Sequence, residues 1–173
     1  MEKKRKRASE SVERERKFLV KELPVKLSRY PHSTIEQGYL TVAGKDHDAA
    51  EIRVRRVNHR NVLTIKRGRG EARLEREIPL SPVHARSLWP LTKGRRVKKV
   101  RYRIPYRGLN IELDLYRGNA RGLAVAEVEF ASPKASRQFK PPQWFGKEVT
   151  GHKGFTNSQL ALTGWGRMRR TRG

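Results

Sequence analysis

The chain has 173 residues, with 41 Lys and Arg against 17 Asp and Glu, a formal net charge of +24 and no cysteine. This length suits one compact domain that buries its own core. The lack of cysteine excludes disulfides, thiolate zinc sites and a cysteine nucleophile, and it favours a reducing compartment. No stretch approaches the roughly 18 apolar residues of a membrane span, so we expect a cytoplasmic protein with no membrane association.

Part of the positive charge lies at the two ends of the chain. Basic residues dominate 3–7 and recur over 167–172, where no apolar pattern supports a fold. We therefore expect a basic disordered tail over 1–10, a folded domain over 11–164 and a basic tail over 165–173. Such tails attract polyanions, and we expect them to associate non-specifically with nucleic acid or polyphosphate.

Between the tails, short runs of alternating charged and apolar residues predict β-strands, because successive side chains of a strand point to opposite faces. Tight links such as Asn58-His59 and Arg107-Gly108 join neighbouring runs as hairpins and predict an antiparallel sheet. The eight runs lie near 12–20, 34–43, 50–57, 60–67, 71–79, 97–106, 109–116 and 124–130.

Serine followed by proline marks the start of two short helices, because serine caps a helix and proline fits its first position. The predicted helices follow Ser81-Pro82 up to Pro90, follow Ser132-Pro133 up to about Phe139, and cover 159–162 after a cap at Asn157 or Ser158. Eight strands with a few helices indicate a mainly β (α+β) fold, either a barrel or a sandwich.

The strand period sorts the charges by face. In the first run Glu13, Glu15 and Lys17 share one face, and Arg14 and Arg16 lie on the other. Charged sets on one face recur in the later runs: Arg53 with Arg55, Thr64 with Lys66, Arg73 with Glu75 and Glu77, Lys99 with Arg101 and Arg103, Glu112 with Asp114, and Glu127 with Glu129.

These charges have two interpretations. The solvated face of a half-buried sheet accounts for any one strand. It accounts poorly for the whole set, because neighbouring like charges repel unless something compensates them. Acidic pairs suit hard divalent cations and basic pairs suit phosphate. Both kinds on one inner face predict a metal–phosphate site.

The same residues resemble the CYTH superfamily of triphosphate tunnel metalloenzymes, and the short bacterial inorganic triphosphatases in particular. Residues 13–17, ERERK, fit the ExExK motif that opens the CYTH domain. The similarity covers roughly 12–162 and continues through QGYL at 37–40, EIRVRRV at 51–57, LTIKR at 63–67, RLEREIP at 73–79, KKVRYRIPY at 98–106, IELDLY at 111–116, GLAVAEVEF at 122–130 and WFGKEVTGHKGFTNSQLA at 144–161.

The resemblance implies an eight-stranded closed antiparallel β-barrel with a few short peripheral helices, around a tunnel where Mg²⁺ or Mn²⁺ supports triphosphate hydrolysis. The implied phosphate ligands are Lys17, Arg53, Arg55, Lys66, Lys99 and Arg101, and Arg73 joins them by its place in the alternation. The implied metal ligands are Glu13, Glu15, Glu75, Asp114, Glu127 and Glu129, with Glu77 and Glu112 as further candidates. Residues expected to act in catalysis are Glu13, Glu15, Lys17, Lys99, Glu127 and Glu129.

Three points stay open at this level. His152 stands where family members often carry an acidic residue, although Phe155 keeps the expected aromatic. The substrate is inorganic triphosphate or, as in other CYTH enzymes, a nucleoside or thiamine triphosphate or the substrate of an adenylyl cyclase. A non-catalytic polyanion binder is a further alternative, although carboxylates aimed at phosphate bring such a binder no affinity. The chain is expected to be a monomer or a homodimer.

Overall fold

The computed structural model describes residues 14–24, 26–43, 50–67 and 74–166. The basic tail expected over 1–10 lies outside the described residues, as does most of the tail expected over 165–173. Glu13 and Arg73 also lie outside them, so their roles as metal and phosphate ligands stay predictions.

Antiparallel pairing joins all neighbouring strands of the single sheet found in the described residues, which confirms a mainly β architecture. The first eight strands match the eight predicted runs. The strands are β1 (Arg14–Val20), β2 (His32–Ala43), β3 (Ala50–Val57), β4 (Arg60–Arg67), β5 (Leu74–Leu80), β6 (Arg96–Tyr106), β7 (Leu109–Arg117), β8 (Ala124–Phe130) and β9 (Phe145–Glu148).

Closure of the sheet differs from the expected eight-stranded barrel. The strand order is β5-β4-β3-β2-β6-β7-β8-β1-β9, and no pairing joins the edge strands β5 and β9 among the described residues. The ninth strand, β9, was not predicted. It has four residues and an irregular register against β1, so no alternation of charged and apolar residues marks it. It occupies the edge of β1 that a ring of eight strands would offer to β5. In the part of the chain that the structure describes, the result is a curled sheet of nine strands whose two edges do not pair.

Three short helices of the described residues pack against the sheet. They are α1 (Pro82–Leu88), α2 (Pro133–Gln138) and α3 (Asn157–Thr163), and a 3₁₀ turn at Trp89–Thr92 extends α1. The Ser81 and Ser132 side chains accept hydrogen bonds from the backbone N–H of His84 and Ala135, which confirms both predicted caps. The cap of α3 is Thr156, one residue before the predicted position, because its hydroxyl accepts from the Gln159 N–H.

The outer face of the sheet is apolar where α2 and β9 cover it. The buried cluster there consists of Phe18, Ile104, Ile111, Leu113, Ala126, Val128, Phe130, Phe139 and Phe145. Its strand residues occupy alternate positions, so the residues between them face inward. The charged positions therefore point into the curl of the sheet, as the alternation predicted.

The inner face of the sheet changes from apolar to charged along the strands. Val97 and Val125 are buried and apolar, whereas Lys99 and Glu127, two residues further along the same face, are charged. A second cluster, here called the plug, fills the apolar part of that face: Tyr39, Val97, Tyr116, Ala120, Leu123, Val125, Val149, Phe155, Leu160 and Ala161. Helix α3 supplies Leu160 and Ala161, so the C-terminal segment packs inside the curl.

A close contact holds β2 beneath the 3₁₀ turn. A Cβ atom added at Gly38 would lie 2.6 Å from the Thr92 Cβ atom, well inside van der Waals contact. We therefore expect Gly38→Ala to lower the free energy of unfolding by about 1–3 kcal/mol, as overpacking does. Urea denaturation measures the change. Gly166→Ala is the control, because that position faces open space. Equal stabilities for the two variants would contradict this account of the contact.

Arg16 ties three elements together on the outer face. Its Nε and Nη2 atoms donate to the two carboxylate oxygens of Glu148 at 3.0 and 2.7 Å, and its Nη1 donates to the Ser136 carbonyl at 2.9 Å. Thr150 donates to Glu148 at 2.6 Å and accepts from the Lys17 backbone N–H at 3.0 Å. This network therefore fixes the backbone of a predicted phosphate ligand.

The hydrogen bond from Arg16 lowers the pKa of Glu148 in the folded protein. Its stabilisation is therefore complete above the unfolded-state pKa of about 4.3 and is lost as the pH falls through the lower folded value. We expect Glu148→Gln to cost about 1 kcal/mol at pH 7, since exposed ion pairs are weak, and almost nothing near pH 2. Urea denaturation at both pH values measures this, with the exposed Glu22→Gln as control. A pH-independent cost would contradict the linkage.

Candidate active site

The curl of the sheet encloses a cavity of about 1240 Å³, lined by side chains from β1 to β8, by α2 and by the segment that leads into α3. This exceeds the 300–1,000 Å³ typical of small-molecule sites, as suits an extended ligand. The cavity lining includes these site residues predicted from the sequence: Glu15, Lys17, Arg53, Arg55, Lys66, Glu75, Glu77, Lys99, Arg101, Glu112, Glu127 and Glu129.

Asp114 differs from the other predicted residues because it is completely buried beneath the cavity wall. Its oxygens accept from Lys99 Nζ at 2.5 Å and from Arg101 Nε and Nη2 at 2.7 and 2.6 Å. The strand register explains the contact, since Asp114 on β7 lies directly opposite Arg101 on β6. Asp114 thus holds two predicted phosphate ligands from behind.

Arg101 stands at the centre of this network. Besides Asp114, its guanidinium contacts Glu127 at 2.7 Å and makes a very short contact to Glu112. Burial opposes the charge of Arg101, but the three carboxylates outweigh burial and raise its pKa well above the usual value. Arg101 therefore carries a permanent positive charge at the cavity wall.

Lys17 and Glu127 form a second buried ion pair beside Arg101. Lys17 Nζ lies 2.8 Å from Glu127 and 3.7 Å from Glu15, because Lys17 on β1 pairs with Glu127 on β8. Burial disfavours the Lys17 charge, yet the two glutamates raise its pKa. Burial would raise the pKa of Glu127, but Lys99, Lys17 and Arg101 lower it far below its ordinary range. Both side chains therefore stay charged.

Lys99 is almost completely buried and still borders the cavity. Burial lowers its pKa, against the attraction of Asp114. Its ammonium also donates to the Asn157 Oδ1 atom at 3.4 Å. This lysine is thus held by one strand partner and one residue from α3.

A second basic group lines the cavity on β3 and β4. Arg53 contacts Glu51 at 3.2 Å, Arg55 contacts Glu77 at 3.2 Å and Lys66 contacts Glu75 at 2.6 Å. Burial and the neighbouring Arg53 lower the pKa of Arg55. The buried Nε atoms of Arg53 and Arg55 have no hydrogen-bond acceptor among the described residues. Arg53, Arg55 and Lys66 line the cavity, and guanidinium and ammonium groups are donors that suit the oxygens of an anion.

Carboxylates of adjacent strands face one another across the cavity lining. Glu15 on β1 lies directly opposite Glu129 on β8, and Glu127 on β8 lies opposite Glu112 on β7. Opposed like charges are destabilising unless a cation lies between them. Among the described residues no group of three or more acidic or histidine side chains is arranged to hold a metal ion, and the predicted Glu13 lies outside them. The Glu15–Glu129 pair offers the hard oxygen donors that Mg²⁺ and Mn²⁺ prefer.

The alternation missed several cavity residues. Gln37 and Tyr39 line the cavity, with the Gln37 amide donating to the Tyr39 hydroxyl at 3.0 Å, and burial raises the pKa of Tyr39 to about 12. Their alternate positions in the QGYL motif were the available signal. Asn157 also lines the cavity, but no strand period applies to its segment.

Arg14 is a departure from the alternation, since it contributes to the cavity lining although its strand position faces outward. It is the first described residue of β1. Arg16 and Lys98 lie away from the cavity as predicted, paired to Glu148 and Glu36.

The described helices contain no apolar segment long enough to span a bilayer.

Comparison with known proteins agrees with this geometry. A family model described as the CYTH domain matches residues 11–149. The inorganic triphosphatase of Nitrosomonas europaea is 42% identical over 155 residues, which cover 88% of this chain and 98% of the relative. The inorganic triphosphatase of Acetivibrio thermocellus is 35% identical over 126 residues, which cover 72% and 77%.

Solved structures show the same likeness. The crystal structure of an inorganic triphosphatase is 39% identical to this chain with a TM-score of 0.68, and the match covers 86% of this chain and 96% of that one. The span matched by the family model runs from β1 through β9 and includes the charged strands that line the cavity. The resemblance seen in the sequence is thereby confirmed, and the chain belongs to the CYTH domain family.

Proposed function

We propose that this protein is a divalent-metal-dependent hydrolase of inorganic triphosphate that acts inside the cavity of the curled sheet. The observation that carries the proposal is the arrangement around Arg101. Three basic side chains, Lys17, Lys99 and Arg101, are fixed by carboxylates on one wall. Arg53, Arg55 and Lys66 line the cavity on neighbouring strands. The two inorganic triphosphatase relatives support the choice of substrate.

The basic residues bind the phosphate chain and withdraw charge from it. Phosphoryl transfer asks a protein mainly for positioning and charge stabilisation, and fixed donors in a site shielded from water supply both. Lys17, Lys99 and Arg101 act on one wall, and Arg53, Arg55 and Lys66 act from β3 and β4. Arg73 remains part of this proposal by its place in the alternation.

The carboxylates Glu15, Glu129 and Glu127, together with Glu13, would hold the Mg²⁺ or Mn²⁺ ion. A bound divalent cation neutralises phosphate charge and makes a coordinated water more acidic. Glu127 stays ionised because three cations hold its pKa down, so it serves as an anion rather than as a proton acceptor. Glu129, which is exposed, is better placed to orient the attacking water.

Two other predicted metal ligands have different surroundings. Asp114 already accepts hydrogen bonds from Lys99 and Arg101, which favours a supporting role behind the phosphate ligands. Glu75 is ion-paired to Lys66 at 2.6 Å on the other wall, where it steadies that lysine. We therefore place the cation nearer to Glu15 and Glu129.

Inorganic triphosphate suits this cavity better than the alternative substrates do. The lining is dominated by charged side chains, and a nucleobase or thiamine ring needs apolar or aromatic surface to stack on. A non-catalytic polyanion binder does not need the opposed carboxylates. We further propose a cytoplasmic monomer or homodimer, with any nucleic acid or polyphosphate association confined to the basic tails.

We expect the purified protein to release phosphate from tripolyphosphate with Mg²⁺ or Mn²⁺ and to stop when EDTA removes the metal. The basic residues alone cannot neutralise the phosphate charge, because their own charges are already paired with carboxylates. A malachite-green phosphate assay with tripolyphosphate, ATP and thiamine triphosphate in parallel measures this. Tripolyphosphate should be the preferred substrate by kcat/KM.

Restoring the divalent metal after EDTA treatment is the control for irreversible damage to the protein. Full activity in metal-free buffer would contradict the role given to the carboxylates. A higher kcat/KM for ATP or thiamine triphosphate would assign the protein to another branch of the family.

Two glutamates test whether the cavity-facing carboxylates matter. We expect Glu127→Gln to reduce turnover of tripolyphosphate by at least about 10²-fold, a transition-state loss on the order of 3 kcal/mol. Glu36→Gln is the matched control, because Glu36 forms its ion pair with Lys98 at 2.8 Å outside the cavity lining. It should stay within a few-fold of the parent.

Thermal unfolding of each variant separates a catalytic loss from a folding defect. Glu15→Gln serves as a second variant if Glu127→Gln folds poorly, since Glu15 is roughly half exposed and its loss should disturb packing little. Equal sensitivity of Glu36 and the cavity glutamates would restore the interpretation of a solvated charged face.

A further inference from the structure

Asn157 lies where the plug meets the charged part of the cavity. It is the first residue of α3, and its side chain borders the cavity while Leu160 and Ala161 of the same helix pack in the plug. Its Oδ1 atom accepts from the Tyr116 hydroxyl at 2.7 Å and from Lys99 Nζ at 3.4 Å. One amide oxygen therefore joins the plug to a predicted phosphate ligand.

The position of Asn157 at the start of a helix does not explain this contact. Thr156 caps α3, and its hydroxyl accepts from the Gln159 N–H at 3.2 Å. The Asn157 side chain is thus not needed to satisfy the helix end. Its hydrogen bonds point to Tyr116 and Lys99 instead.

The donors around Asn157 fix the orientation of its amide. Lysine has no acceptor atom, so the amide atom that faces Lys99 must be the oxygen. Burial raises the pKa of Tyr116 well above its usual value, so its hydroxyl keeps its proton and donates to the same oxygen. Tyr116 thereby holds Asn157 in the orientation that receives the lysine.

The Lys99 ammonium has three N–H donors. Among the described residues, Asp114 and Asn157 receive two of them. Because the three N–H bonds have fixed tetrahedral directions, fixing two of them determines the third. Lys99 lines the cavity, so the remaining N–H is the one that would donate to a phosphate oxygen bound there.

We propose that Asn157, anchored by Tyr116, is a positioning residue that aims the Lys99 ammonium at the substrate phosphate. This inference rests on the proposed triphosphatase function. It gives the C-terminal helix a role in catalysis although that helix contributes no charged ligand from its first turn. The functional role of Tyr116 is to hold the Asn157 amide.

Asn157→Ala should reduce kcat for tripolyphosphate by about 10- to 100-fold, as small misplacements of a catalytic group do, with a smaller change in KM. Asn157→Asp keeps an oxygen acceptor at the same place and should retain most of the activity. Tyr116→Phe should reduce kcat in the same direction, and adding it to Asn157→Ala should cost nothing further. These outcomes distinguish positioning from general loosening of α3.

Asn119→Ala is the matched control, because the Asn119 amide donates to the carbonyls of Leu160 and Ala161 and fixes α3 without touching Lys99. It should lower thermal stability while kcat stays within a few-fold of the parent. A second test adds Asn157→Ala to the Lys99→Met variant. The added substitution should have no further effect on residual activity. If that activity is too low to measure, calorimetry should show the same affinity for tripolyphosphate in both variants.

The outcomes separate the inference from the proposed function. A parent protein without tripolyphosphate hydrolysis would overturn both. An active parent with an unchanged Asn157→Ala variant would overturn the positioning role alone. The positioning role alone would also be overturned if Asn157→Ala and Asn119→Ala lowered kcat equally, or if the effects of the Asn157 and Lys99 substitutions were additive.

Discussion

The buried ionic network around Arg101 is the interaction on which the cavity depends. Charges removed from water are costly unless partners compensate them, and a broken buried pair leaves a strongly destabilised charge. Here Asp114, Glu112 and Glu127 surround one guanidinium, and Lys17 and Lys99 complete the compensation. The network holds the positively charged side chains of Lys17, Lys99 and Arg101 in place at the cavity wall before any substrate binds. Such preorganised charge can stabilise a transition state without reorganisation.

The sheet makes this network possible by separating two kinds of surface. Alternate side chains on β6, β7 and β8 build an apolar outer cluster, which supplies the hydrophobic stabilisation that the ionic face does not. On the inner face, charged residues give way to the plug within two positions along the same strand. The plug excludes water from one side of Lys99 and Asp114, and this strengthens their interaction.

The C-terminal segment connects the two surfaces to the site. Val149 donates from its backbone to the Lys17 carbonyl at 2.8 Å, and the Thr150 hydroxyl accepts from the Lys17 N–H. Further along, Asn157 reaches Lys99 from inside the curl. One stretch of chain thus contacts two proposed phosphate ligands on different strands, Lys17 and Lys99, and this couples the geometry of the proposed site to the docking of α3.

The sequence by itself determined eight of the nine described strands, their antiparallel order in hairpins and the face of most charges, because a period of two is a local property of extended backbone. It also indicated the family through the order of its motifs. Tertiary structure decided the rest. The edge position of β9, the burial of Asp114 and the approach of Asn157 to Lys99 depend on contacts between residues distant in sequence. Local alternation carries no information about such contacts, because they arise only when the sheet curls and α3 packs inside it.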